Sequence, residues 1–304
     1  NSNSISNAGA DVTLCYIQAY SLDADSVSGI NVGTWSQISG PNAANFSNIN
    51  DEKAIITNLI AGTYSLEWRV SNAVCPSVSD TVVITLMEPS VADAGVDQSM
   101  CDTNSLVPLS ALHGHTQTYH NYSWTFAPSI SNNSNTPTIV SPNSISTTIN
   151  DLNVGIYSFI LEVDNGGYCP NDFDTVRIEI FGKPIVDYTV IDSTLCLGEC
   201  AQFVNNSTLS DSSGSVINSM LWSFGNGSFS NLSDPLHCYD EVGSYNVSLT
   251  ITTDNGCIDS LDKTSYIQVN PLPIAGFDID AYGSITPGSQ VLFIDQSFDA
   301  IGYY

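Results

Sequence analysis

Basic residues are nearly absent: five Lys and Arg (Lys53, Lys183, Lys263, Arg69 and Arg177) stand against 31 Asp and Glu, a formal net charge of −26. A chain so acidic repels polyanions, which argues against nucleic acid or anionic lipid as a partner. No apolar run approaches the roughly 20 residues of a membrane span, so no direct membrane insertion is expected. No segment holds a 3.6-residue apolar period long enough for a major helix. G-x-S-x-G, P-loop and H-E-x-x-H motifs are missing, as is any Cys/His pair suited to nucleophilic chemistry. No catalytic residue is assigned and no enzyme is expected. C-x-x-C pairs are lacking too, and no His stands at zinc-like spacing from two Cys, so no metal ligand is assigned. No signal peptide opens the chain, which reads as a mature product or a fragment.

What is present describes a folded β protein. Of 304 residues, 42% are hydrophobic and 10% aromatic, too many for a disordered acidic chain. Runs of Val, Ile, Thr and Tyr favour strands. Eight cysteines (Cys15, Cys75, Cys101, Cys169, Cys196, Cys200, Cys238 and Cys257), an even number at recurring positions, imply disulfides and an oxidising, extracellular or cell-surface location.

The chain repeats itself. "AGTYSLEWRVSNAVC" (61–75), "VGIYSFILEVDNGGYC" (154–169) and "VGSYNVSLTITTDNGC" (242–257) share a Gly-x-Tyr start, an alternating run and a cysteine. Each is preceded by a tryptophan (Trp35, Trp124, Trp222) and, earlier, by another cysteine (Cys15, Cys101, Cys196). The tyrosines Tyr64, Tyr157 and Tyr245 are spaced by 93 and then 88 residues, a domain-sized period. Short Pro-containing connectors, "MEPSVADAG", "GKPIVDY" and "NPLPIAGF", follow each repeat and restrict how neighbours are oriented. Boundaries are expected at 1–88, 89–182 and 183–271, with 272–304 as the N-terminal part of a fourth domain. That last piece reads as a longer protein cut short or, alternatively, as strands completed by another chain. Many short strands with a Cys–Trp–Cys order predict an all-β chain of tandem immunoglobulin-like sandwiches arranged as a rod.

The third repeat carries a more specific pattern. "LWSFGNGSFSNLSDPLHCYDEVGSYNVSLTITTDNGC" resembles the PKD domain, whose signature runs W-D-F-G-D-G…P-x-H-x-Y…G-x-Y-x-V-x-L. Trp222, Phe224, Gly225, Gly227, Pro235, His237, Tyr239, Gly243, Tyr245, Val247 and Leu249 fit it. Ser223 and Asn226 replace the signature aspartates, so the resemblance does not carry an ion-binding role over. The first two repeats are similar in the Trp, Gly-x-Tyr and Cys landmarks. The cysteine-bearing style resembles long surface proteins of Bacteroidota, including gliding-motility adhesins.

One disulfide per repeat gives Cys15–Cys75, Cys101–Cys169 and Cys196–Cys257, each pinning a domain end. Cys200 and Cys238 remain for a cross-strand bridge between strands that the immunoglobulin order makes neighbours. Asp-(Ser/Thr)-hydrophobic triplets at Ser26, Thr81, Thr175, Ser193 and Ser260 resemble the O-glycosylation motif of Bacteroidota; as plain chemistry they are turn-then-strand starts. His113, His115 and His120 can chelate a metal or simply fill a polar loop. His237 reads as a structural hydrogen-bonding residue rather than a base. Asp93, Asp97, Asp102, Asp187, Asp192, Glu199, Asp278 and Asp280 lie near the junctions, where they can hold Ca²⁺ or form a solvated acidic surface.

These features point to a non-catalytic extracellular repeat region, the stalk or filament of a large bacterial cell-surface adhesin. Its partners would be neighbouring domains of the same longer chain, surface glycans or other cells. The alternatives are ancillary modules of a secreted polysaccharide- or protein-degrading enzyme, or a self-assembling filament subunit. Sugar binding would call for exposed aromatic platforms. Tyr16, Tyr20, Tyr119 and Tyr122 are the candidates, since the three repeated tryptophans belong to the core.

Overall fold

The computed structural model describes residues 6–102, 106–112, 120–130, 135–209, 215–280, 286–288 and 290–298. Among them the only helix is a 3₁₀ turn at Pro128–Ile130; the remaining regular structure is strand. Two compact units divide the chain, residues 1–98 with 104–178 and residues 99–103 with 179–304.

The first repeat contains β1 (Val12–Cys15), β2 (Ala19–Ser21), β3 (Val32–Ser39), β4 (Asn45–Phe46), β5 (Ile55–Thr57), β6 (Gly62–Ser71) and β7 (Val78–Met87). They form two sheets, ordered β1-β7-β6-β3 and β2-β5-β4. Alternation along β6 and β7 decides which side faces inward. Tyr64, Leu66, Trp68 and Val70 from one strand and Val82, Ile84 and Leu86 from the other are buried. Each buried side chain of this size contributes about 1.5–3 kcal/mol. Trp35 of β3 packs on Trp68 with ring centroids 5.0 Å apart.

The second repeat contains β8 (Gln98–Cys101), β9 (Val107–Ser110), β10 (Asn121–Phe126), β11 (Thr138–Ile139), β12 (Ser146–Asn150), β13 (Gly155–Asp164) and β14 (Asp172–Phe181). Its sheets run β10-β13-β14-β8 and β11-β12-β9. The third repeat begins with β15 (Pro184–Ile185), β16 (Tyr188–Val190), β17 (Thr194–Cys196), β18 (Cys200–Asn205) and β19 (Thr208–Leu209). It continues with β20 (Ile217–Ser223), β21 (Phe229–Ser230), β22 (Leu236–Cys238), β23 (Gly243–Thr253) and β24 (Ile258–Asn270). The sheet order β17-β24-β23-β20-β21 faces β16-β18-β22, and β15 pairs with β19. The chain is therefore all-β, a tandem of immunoglobulin-like sandwiches.

The repeated landmarks make the same bonds in each copy. Trp35 Nε1 donates to Asp51 O at 3.0 Å, Trp124 Nε1 to Ser144 O at 3.0 Å and Trp222 Nε1 to Leu232 O at 2.9 Å. Each Gly-x-Tyr hydroxyl bonds to backbone four residues upstream. Ile60 N donates to Tyr64 Oη (2.8 Å), Asn153 N donates to Tyr157 Oη (2.9 Å), and Tyr245 Oη donates to Glu241 O (2.8 Å). These are tyrosine corners, in which the hydroxyl satisfies a loop backbone group.

The strand that ends at the leading cysteine of a repeat (β1, β8 or β17) lies beside the last strand, and the β1–β7 and β17–β24 pairs are parallel. It is termed the first strand, although β15 and β16 precede β17. Cys15 is opposite Met87 in the β1–β7 register, and Cys196 is opposite Asn270 in β17–β24. The residue after each first-strand cysteine donates to the carbonyl that closes the last strand: Tyr16 N to Met87 O (3.0 Å), Asp102 N to Phe181 O (2.7 Å) and Leu197 N to Asn270 O (2.9 Å). All three first-strand cysteines therefore sit at the trailing end of their repeat. Cys75, Cys169 and Cys257 occupy the turns before β7, β14 and β24, at the leading end.

This arrangement overturns the pairing of one bridge per repeat. A ten-residue last strand spans about 33 Å, whereas bridged Cα atoms lie within about 7 Å. Cys15–Cys75, Cys101–Cys169 and Cys196–Cys257 would join opposite ends of one sheet. The structure instead bonds Cys15 to Cys169 (Cα–Cα 4.8 Å) and Cys101 to Cys257 (5.5 Å), each within one compact unit. Cys200 and Cys238 face each other across β18 and β22 and are bonded. Cys75 and Cys196 are free thiols.

The chain after residue 271 starts as the third repeat does. β25 (Phe277–Asp280) pairs with β26 (Leu292–Asp295) in a register that matches β16 on β18. Ser297 Oγ donates to Gly276 O, as Ser207 Oγ does to Asp187 O. Phe277 and Phe293 take the places of Tyr188 and Phe203; the latter pair is fully buried, while the former is 70% and 66% exposed.

Candidate functional site

The PKD-like residues of the third repeat converge on one aromatic stack. The Phe224 ring lies flat against His237 at 4.0 Å, and His237 meets Tyr239 edge-on at 4.8 Å. The Asn226 side-chain nitrogen and His237 Nε2 are 3.1 Å apart, and Tyr239 Oη donates to Phe224 O. The turn between β20 and β21 needs Gly225: its φ is +80°, and an added Cβ would stand 2.3 Å from the Asn246 carbonyl oxygen. Gly225→Ala combines that clash with a left-handed backbone, which costs about 1–3 kcal/mol. A lower urea midpoint for the third repeat is the expected result.

His237 is held by packing rather than poised for proton transfer. Burial lowers its pKa below the ordinary 6.5, and the Asp240 charge works in the opposite direction. The unfolded chain therefore takes up the proton first as pH falls. His237 contributes stability that is present above pH 6.5 and is lost as pH drops through the lowered folded value. Denaturant melts on either side of that value should show the third repeat weakening on the acid side, and His237→Gln should flatten that component. Burial also raises the Tyr188 and Tyr239 phenols well above their usual range. Lys263 lies 4.4 Å from the Tyr188 ring centre and 3.5 Å from Asp187 Oδ1.

Several of the carboxylates near the connectors are engaged by backbone. Asp97 Oδ1 accepts from Arg177 N, Asp93 Oδ1 from Gly95 N, Asp187 Oδ1 from Tyr188 N and Glu199 Oε2 from Cys196 N. Among the described residues no three His, Cys, Asp or Glu side chains gather as a metal site. His113, His115 and Tyr119 lie outside the described residues, and so does the side chain of Asp280.

Ser26, Thr81, Thr175, Ser193 and Ser260 are all exposed. In two of the five triplets the aspartate accepts a backbone hydrogen bond from far along the chain. Asp80 Oδ2 accepts from Ala8 N (2.8 Å) and Asp174 Oδ2 from Ala94 N (2.7 Å). These bonds tie the start of each of the first two repeats to its last strand.

Of the tyrosine candidates, Tyr20 packs against the core and Tyr16 Oη donates to Leu59 O at 3.3 Å. Tyr122 lines a groove of about 430 Å³ on the second repeat with His120, Asn121, Asn143, Glu162, Asp164 and Asn171. Asn171 Nδ2 donates to Glu162 Oε1 at 2.6 Å, and Asn121 Nδ2 lies 3.5 Å from Asp164 Oδ2. Such a floor presents amides and carboxylates to a polar ligand. The sequence singles out Tyr122 but not the groove, whose walls come from separated segments.

Comparison with known proteins locates the resemblance. The PKD domain family matches residues 182–269. A pre-pro-metalloprotease, PrtV, of Vibrio cholerae serotype O1 is 41% identical over 73 residues, which is 24% of this chain and 8% of that protein. The solved PKD1 domain of the V. cholerae metalloprotease PrtV is 34% identical; the match covers 29% of this chain and 96% of that one, with a TM-score of 0.25. The titin fragment I67–I69 is 12% identical over 87% of this chain and 98% of its own, with a TM-score of 0.44.

Proposed function

We propose that this chain is a non-catalytic extracellular repeat region of a bacterial cell-surface adhesin, which sets spacing or mediates attachment. The observation that carries this reading is the use of its recurring side chains: every tryptophan and tyrosine landmark, and the His237 stack, is spent on building the same sandwich again. The disulfides support an oxidising location. The glycosylation reading of Thr81, Thr175 and Ser260 belongs to this proposal, as does a surface glycan in the Tyr122 groove, whose amides and carboxylates suit sugar hydroxyls. The similarity to part of a metalloprotease favours the second reading, an ancillary module of a secreted hydrolase.

Localisation separates the two. An antibody raised against the 304-residue chain should label intact source cells, and the label should be lost after surface proteolysis in the presence of a reductant. Antigen found only in culture supernatant, co-purifying with hydrolytic activity, would overturn the adhesin reading in favour of the enzyme module.

A further inference from the structure

The two free cysteines occupy places that are bonded elsewhere in the same molecule. Cys196 closes β17 just as Cys15 closes β1 and Cys101 closes β8, and the residue after each makes the same hydrogen bond to the last strand. Cys75 sits in the turn before the last strand, as do Cys169 and Cys257. Both long bridges obey one rule: the first-strand cysteine of a repeat is bonded to the turn cysteine of the next. Applied once more in each direction, the rule leaves over Cys196 at the trailing end of the third repeat and Cys75 at the leading end of the first. Those are the two thiols that are free, one half-buried and the other exposed.

We propose that Cys75 and Cys196 are the open rungs of a disulfide ladder. Cys196 takes the cysteine in the turn after the Gly-x-Tyr strand of a following repeat; Cys75 takes the first-strand cysteine of a preceding one. The following repeat is the one that begins near residue 272. In it, "TPGSQVLFIDQS" stands where the third repeat has "CLGECAQFVNNS", and Gly288 and Gly198 share a positive φ. Thr286 then replaces the first-strand cysteine, and Gln290 replaces Cys200. That repeat can receive the rung from Cys196 but cannot pass one on, so the ladder ends there.

Each rung forms by thiol–disulfide exchange. A cysteine thiolate attacks a protein or small-molecule disulfide, giving a mixed disulfide, and the partner thiolate displaces it. The two thiol protons and the two electrons pass to the oxidant, which leaves as its reduced dithiol.

The test is peptide mapping of the native protein from its source, alkylated without reduction. Cys196 should be recovered linked to a cysteine that follows a Gly-x-Tyr strand, and Cys75 linked to one that ends a first strand. The intact non-reduced mass tells where the partner lies: the mass of one chain places it in the same polypeptide, and a multiple places it in a second copy. Cys196→Ser should leave a single new alkylatable thiol at the partner turn. Recovery of Cys75 and Cys196 as free or glutathione-capped thiols, or as Cys15–Cys75 and Cys196–Cys257, would overturn the proposal.

Discussion

Cys15→Ser and Cys169→Ser are expected to destabilise the chain equally, by about 3–5 kcal/mol, whereas Cys75→Ser should change stability by less than about 0.5 kcal/mol. The first two remove the same bond, which joins residues 154 apart in sequence. In the chain-entropy account a loop that long restricts the unfolded ensemble strongly. Cys75 is exposed and unbonded in this chain, so its replacement removes only a surface thiol. Calorimetry of the three variants beside the parent checks this, and thiol titration should find one additional free thiol in each of the first two. If pairing ran within a repeat, Cys75→Ser would match Cys15→Ser and Cys169→Ser would match Cys101→Ser. That outcome would refute the bridging described above.

Trp222→Ala should cost about 3–5 kcal/mol and unfold the third repeat under conditions where the first remains folded. Trp222 is fully buried and meets Tyr188 edge-on at 5.1 Å, Phe203 at 5.5 Å and Phe224 at 6.5 Å. Its removal leaves an indole-sized void among rings that cannot close over it, and strands the Leu232 carbonyl without its donor. Trp222→Phe keeps most of the volume but loses that bond, so a smaller loss is expected. Near-ultraviolet circular dichroism and urea unfolding measure both. A loss below about 1 kcal/mol for the alanine variant would mean that the aromatic stack does not hold the repeat together.

Much of the fold is legible in the sequence because strands declare themselves by alternation. "YSLEWRV" and "YNVSLTI" place Tyr64, Leu66, Trp68, Val247, Leu249 and Ile251 on the inner face, and all six are buried. The tyrosine corners are legible as well, since Gly-x-Tyr fixes both the ring and the hydroxyl locally. Disulfide partners are not. Pairing depends on which end of a sheet each cysteine reaches, and that follows from the parallel β1–β7 register, a long-range property. One local clue does exist: "VSDTVVITLM" is a ten-residue strand between Cys75 and the connector, long enough to keep Cys75 away from anything at the other end. The Tyr122 groove leaves no such clue, because residues as distant as Asn121, Asn143 and Asn171 meet only when the sheet is formed.

The two long bridges interlock along the chain. One spans residues 15 to 169 and the other 101 to 257, so their loops overlap between 101 and 169. A single peptide-bond cut anywhere from Cys15 to Cys257 falls inside at least one loop, and the severed halves stay attached. Inside the overlap, both bridges must be reduced before the pieces part. A protease that nicks an exposed turn between Cys15 and Cys257 would therefore release nothing until a reductant arrived.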